Sequence, residues 1–152
     1  MSTAAAAVPS AATRFWQVGL VVEDIGECMA ELSRALGLTW GEVLRNNNFG
    51  EDMDVVFSRE GPPYFELIQG APGTEWDSTQ GSRLHHLGYW VPDLTQTRQE
   101  LEDRGAPVVV DGQARGFPLN YHALPAAGFR IEMFDASFKD AFRASRGFDD
   151  VG

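Results

Sequence analysis

One pattern occurs twice in this chain, 69 positions apart. It runs Gln17-Val-Gly19-Leu-Val-Val22-Glu-Asp24 in the first copy and His86-Leu-Gly88-Tyr-Trp-Val91-Pro-Asp93 in the second. Further along, Glu31-Leu32 matches Glu100-Leu101. Such self-similarity means that one supersecondary unit is built more than once. Each copy ends in an apolar strand that carries a carboxylate at its middle, Phe65-Glu66-Leu67 in the first and Ile131-Glu132-Met133 in the second. A carboxylate inside a strand that otherwise reads as core is costly unless a positive or hydrogen-bonding group meets it. Two of them, at matched places, therefore point to a purpose beyond folding.

The local pattern predicts the same element order in both copies. Residues 15–22 alternate and are rich in Val, Leu and aromatics, which predicts a strand. Asp24 then stands as N-cap to a helix with Ile25, Met29, Leu32, Ala35 and Leu36 at helical spacing, stopped by Gly37. Strands follow at 40–44, 53–59 and 64–69, with a polar loop over 45–52 and a Gly61-Pro62-Pro63 turn. In the second copy the strand at 84–91 leads to a helix over 94–104, capped by Asp93 and ended by Gly105, and then to strands at 108–111, 121–124 and 129–134. The predicted class is α+β, as two βαβββ modules. Residues 1–13 form a disordered lead-in, 14–70 the first module, 71–83 a Gly/Pro/Ser-rich linker, 84–136 the second module and 137–152 a tail. Phe138, Phe142 and Phe148 suggest that the tail packs on the body as a short helix.

Side chains alternate across a strand, so Gln17 and His86 occupy equivalent places, each two residues before a space-opening glycine. By the same parity Glu66 and Glu132 face away from their apolar neighbours. An imidazole, two carboxylates and an amide oxygen suit one borderline or hard divalent ion, Zn, Ni, Co, Mn, Fe or Mg, and not a thiolate site. The expected ligands are therefore Gln17, Glu66, His86 and Glu132, with Gln17 the weakest donor. Strand parity makes His85 structural or surface, and leaves His122 between surface and pocket wall. Arg45, Asn46, Asn47 and Asn48, and separately Arg115, read as solvated loops, with the pocket mouth as the alternative.

Composition excludes several classes. A formal net charge of −10 argues against nucleic acid and anionic membrane surfaces, which need a basic patch. No run of about 18 apolar residues is present. Residues 1–13 have neither the basic start nor the apolar core of a secretory signal. The one cysteine, Cys28, can form no internal disulfide and reads as a small core residue. Together these give a cytoplasmic expectation.

The stretches from Gln17 to Asp24, Phe65 to Ile68, His86 to Leu94 and Arg130 to Met133 resemble the vicinal oxygen chelate superfamily of glyoxalases, bleomycin resistance proteins and dioxygenases. The nearest branch is that of glyoxalase I and methylmalonyl-CoA epimerase. The resemblance spans residues 14–136 and implies two incomplete barrels, their curled mixed sheet around a central metal pocket. It puts the four ligand positions on Gln17, Glu66, His86 and Glu132. Many members have histidine where this chain has Gln17, and glutamine there also occurs in the family. Dioxygenases of the superfamily use two histidines and one glutamate, and the first histidine is missing here. The implied activity is that of a lyase, isomerase or epimerase working through an enolate or enediolate chelated by the ion. Glu132 would be the catalytic base and Glu66 its counterpart. A small-molecule substrate and a homodimer are implied as well. The alternatives are a binding or resistance protein of the same fold, with Trp16, Trp40, Trp90 and Phe117 as pocket walls, and a natural-product tailoring enzyme such as a cyclase.

Overall fold

The computed structural model describes residues 14–48 and 51–148, so the expected lead-in over 1–13 lies outside the described residues. The chain divides into two compact units. The first is residues 17–85. The second is residues 86–152 together with the N-terminal stretch ending at Trp16. The first unit contains most of β1 (Arg14–Val21), then α1 (Ile25–Leu36), β2 (Leu44–Asn48), β3 (Glu51–Phe57) and β4 (Tyr64–Gly70). Within it β2 pairs with β3 and β3 with β4, both antiparallel, while β4 runs parallel to β1. The second contains most of β5 (Arg83–Val91), then α2 (Leu94–Asp103), β6 (Val108–Asp111), β7 (Leu119–Leu124), β8 (Phe129–Asp135) and α3 (Lys139–Arg146). Its pairing repeats the first: β6 with β7 and β7 with β8 antiparallel, β8 with β5 parallel. The class is α+β, and each unit is a βαβββ module, as the repeat predicts.

Both modules use the same devices. The Asp24 carboxylate accepts from Glu27 N at 2.8 Å and that of Asp93 from Gln96 N at 3.0 Å, each satisfying an amide that the first helical turn leaves unbonded. Beyond α1, Gly37 adopts φ 72°, a left-handed conformation that suits glycine. Each helix lies on one face of its own sheet. Ile25, Met29 and Leu32 of α1 pack with Val22, Val56 and Leu67, and Leu94 and Leu101 of α2 pack with Val91, Ile131 and Met133. Alternation then sends the intervening strand residues to the opposite face, where the candidate site residues stand. Cys28 is half-buried among the α1 contacts, and burial, aided by the Glu31 charge, pushes its thiol pKa up. That is the setting of an inert core thiol.

The structure differs from expectation around Trp40. The second strand is Leu44–Asn48, not 40–44, and the expected loop over 45–52 is largely strand. The Trp40 indole donates to Ser33 Oγ at 2.9 Å, which ties it to α1 and draws its segment out of the sheet. Trp40 meets the strands through an isolated bridge to Ser58. Arg45 stands on β2 with its side chain 88% exposed and 3.2 Å from Asp54, so it is a solvated pair on a strand.

The connection after β4 is a folded strap. Trp76 is buried within it. The Asp77 carboxylate accepts from Gly73 N and Thr79 N, both at 2.8 Å, and Ser78 Oγ accepts from Gly70 N at 2.8 Å. These bonds to the ionised form hold the Asp77 pKa below its usual value. Gly70 has no substitute here. A Cβ added to it would stand 2.7 Å from Trp76 Cβ and 2.8 Å from the Trp76 carbonyl carbon. His85 closes the strap, with Nε2 2.9 Å from Glu75 Oε2 and its ring beside Trp76. It is therefore a buried structural histidine.

In the second unit the tail does pack as a helix. Trp16 stacks on Trp90 with ring centroids 4.7 Å apart, and Phe134 meets Trp90 edge-on at 4.8 Å. Phe142 of α3 caps this cluster, 5.1 Å from Trp16, 5.5 Å from Phe134 and 6.0 Å from Trp90. Edge-to-face contacts at these separations are the favoured geometry for aromatic rings.

Candidate active site

Strand register places each candidate residue. In the second unit β5 and β8 run parallel with His86 opposite Arg130, Gly88 opposite Glu132 and Trp90 opposite Phe134. Across β8, β7 sets Ala123 beside Arg130, Tyr121 beside Glu132 and Leu119 beside Phe134. Residues directly opposite one another share a face. The face turned away from α2 therefore has three layers: His86, Arg130 and Ala123; then Gly88, Glu132 and Tyr121; then Trp90, Phe134 and Leu119.

The first unit repeats this plan. Gly19 lies opposite Glu66, and Gln17 opposite Tyr64. On the other side of β4, Phe57 lies beside Glu66. Each glutamate thus has a glycine on one flank and an aromatic residue on the other.

Burial is nearly complete. Gln17 is 1% exposed, His86 0% and Glu132 4%, while Glu66 is intermediate. His86 Nε2 lies 3.8 Å from Glu132 Oε1, beyond hydrogen-bond range. Two donor atoms that share one ion through bonds of about 2.0–2.2 Å stand about 3–4 Å apart. The pair therefore fits joint ligation of a divalent ion, and the N/O chemistry of the set agrees. Among the described residues no three His, Cys, Asp or Glu side chains gather as a metal cluster, and the pair that the structure brings together is His86 and Glu132.

Two residues of this face were not singled out from sequence. Tyr121 is buried and packs its ring against His86, centroids 5.0 Å apart and T-shaped, which restricts how the imidazole can turn. Arg130 is half-buried in the same layer as His86. Strand parity from Glu132 was the available signal for Arg130, while Tyr121 needed the register of β7 on β8.

His122 belongs to the other face. It lies opposite Ile131, fully buried on the α2 side, and its Nδ1 donates to Ala106 O at 2.8 Å. Its Nε2 is buried with no hydrogen-bond partner. Burial pushes its pKa below the usual value, and the bond to Ala106 opposes that shift. It is a neutral core histidine, neither surface nor pocket wall. The unfolded chain protonates this imidazole near pH 6.5 and the folded chain only at lower pH, so its contribution to stability is present above about 6.5 and is lost in acid. His122→Asn keeps a donor for Ala106 but cannot titrate. The stability advantage of the wild type over this variant should shrink as pH falls from 7.5 to 5, measured by urea unfolding. A gap that widens would contradict the assignment.

The aromatic residues expected as pocket walls separate. Trp16 and Trp90 meet, but Phe142 caps their cluster, Trp40 is tied to α1, and Phe117 stands exposed before β7. Arg115 is likewise exposed. A cavity of about 500 Å³ in the first unit, lined by Glu23, Asp24, Glu27 and Glu31 among others, contains none of the candidate donors. No described helix is long and apolar enough to cross a membrane.

Comparison with solved structures agrees with this architecture. A hypothetical protein from Bacillus halodurans superposes with a TM-score of 0.65 at 18% identity, over 81% of this chain and 94% of that one. Methylmalonyl-CoA epimerase from Mycobacterium tuberculosis gives 0.59 at 19% identity, over 84% and 91%. 4-Hydroxymandelate synthase from Streptomyces coelicolor gives 0.61 at 16% identity, over 81% of this chain and 48% of that one. At these identities the likeness shows the fold alone. No curated protein matches the sequence. The family model described as the glyoxalase/bleomycin resistance protein/dioxygenase superfamily matches residues 16–123, most of the chain, and the protein belongs to that superfamily.

Proposed function

We propose that the protein is a metal-dependent isomerase, epimerase or lyase that abstracts a proton from carbon next to a carbonyl. Gln17, Glu66, His86 and Glu132 would hold one divalent ion. The observation that carries this reading is the buried pair of His86 and Glu132, 3.8 Å apart and flanked by Gly88. Glu66 beside Gly19 repeats the arrangement.

The ion, when bound, supplies a positive charge that stabilises the enolate oxygen formed on proton loss. The rest falls to the chain. Glu132 accepts the carbon-bound proton and returns it, with Glu66 as its counterpart. Gly88 leaves room for a carbon atom to approach the Glu132 carboxylate, and the Tyr121 ring holds His86 in one orientation. The aromatic-binding alternative loses support, because Phe142 of the chain itself caps the Trp16–Trp90 cluster and Trp40 packs on α1.

The test is hydrogen exchange in deuterated water, followed by NMR over a panel of hydroxy-ketones and 1,3-dicarbonyl compounds. Protein loaded with Zn, Ni, Co, Mn, Fe or Mg should exchange the acidic C–H of at least one compound, and a chelator should abolish the effect. Binding of a panel compound with no exchange under any metal would favour a binding protein of this fold.

A further inference from the structure

The second module buries a histidine where the first buries a serine. The modules match through Phe57 opposite Glu66 and Tyr121 opposite Glu132, and one step beyond these two rings stand Ser58 and His122. Both are 0% exposed. Ser58 is satisfied at any pH, because its hydroxyl donates to Glu60 O and accepts from Phe65 N, both at 2.9 Å. His122 is satisfied on one nitrogen. Nδ1 carries the proton, since its partner, Ala106 O, can only accept. Nε2 is left as a bare acceptor, buried and without a hydrogen-bond partner. A proton arriving there creates a buried, charged donor with nothing to receive it, which is costly.

The surroundings direct the response. Across the sheet His122 faces Val108 on β6 and Ile131 on β8, both apolar. Two charges of α2 act on it, Glu102 favouring the proton and Arg98 opposing it. Arg98 is itself held by Asp111 of β6 at 2.9 Å and by Glu102 at 3.7 Å. The Glu102 side chain is 39% exposed in the last turn of α2, which puts water within reach on that side. Between α2 and β6, Ala106 is pinned twice: its N–H donates to Leu101 O at 2.9 Å, and its carbonyl takes the His122 bond.

We infer that His122 is an acid-operated latch on the end of α2. With the imidazole neutral, it clasps Ala106 and the turn over 104–107 stays closed. With Nε2 protonated, the ring is better served by water, so this turn and the last turn of α2 open while the strands stay paired. The sign follows from linkage. The released ring takes its proton near pH 6.5 and the buried ring only at lower pH, so opening is favoured as pH falls through 6.5. The latch stands apart from the proposed function, because His122 faces away from Glu132.

The test is hydrogen–deuterium exchange of the full chain, read by mass spectrometry at pH 7.5 and 5.5 and corrected for the intrinsic pH dependence of exchange. Protection over residues 98–107 should fall by about 10-fold, the gain in opening that one proton taken up near pH 6.5 gives across that step. Protection of β4 and β8 should change little. In His122→Asn and His122→Gln, which keep a donor for Ala106 but cannot titrate, the local fall should vanish. If neither variant folds, the wild-type map decides by itself, because it compares regions of one molecule. Equal loss across the whole unit, or a loss centred on β5 with its His85 and His86, would overturn the latch. So would a local loss that persists in the variants, or no loss at pH 5.5.

Discussion

Glu132→Gln should leave the protein folded and lower kcat by about 10³-fold, within the range for loss of a general base. The carboxylate is 4% exposed between Gly88 and Tyr121, so the isosteric amide fits without a cavity. An amide oxygen still faces His86, but an amide nitrogen or oxygen does not accept a proton from carbon. The deficit should therefore appear in kcat and leave KM within a few-fold, and substrate C–H exchange with deuterated solvent should fall in parallel. Exchange at the wild-type rate would move the base to Glu66, where Glu66→Gln would then show the loss.

Trp90→Ala should be the most damaging of the simple stability variants. The side chain is fully buried, stacked on Trp16 at 4.7 Å and met edge-on by Phe134 at 4.8 Å. Truncating a buried tryptophan costs about 3–5 kcal/mol, from lost apolar burial and the cavity left behind. For a chain of this size that lowers the melting temperature by about 10 °C or more. The variant also removes part of the seat of Phe142, so α3 should become open to protease before the rest of the unit. A fall of only a degree or two, with α3 still protected, would show that the cluster is not what anchors the helix.

The repeat made most of the fold legible. Both module helices, their aspartate caps and seven of the eight strands lie within two residues of where alternation and helical spacing put them, since each module buries one face and the pattern must follow. Parity likewise placed Glu66, His86 and Glu132 on the faces away from the helices. What failed did so for identifiable reasons. The Asn-rich run of β2 lacks the β-branched and aromatic residues that signal a strand, and it is the outermost strand of its unit, paired there with β3 alone. Trp40 looked like a strand residue because its preference for a pleated surface cannot reveal a hydrogen bond to Ser33. The strap after Gly70 has a linker's composition, and only contacts fold it: Trp76 against Gly70, and Asp77 against Gly73 and Thr79. His122 could not be placed without knowing that Ala106 would offer a carbonyl, and the docking of Phe142 on Trp16 joins residues from opposite ends of the chain, beyond any local pattern.

The central claim is that Gln17, Glu66, His86 and Glu132 bind one ion, and elemental analysis tests it most directly. After reconstitution with Zn, Ni, Co or Mn and removal of free metal, the wild type should retain about one divalent ion per chain. His86→Ala and Glu66→Ala should lose most of it, and Gln17→Ala less, because water can replace a neutral amide oxygen. No retained metal under any of these conditions, or full retention in His86→Ala, would contradict the account.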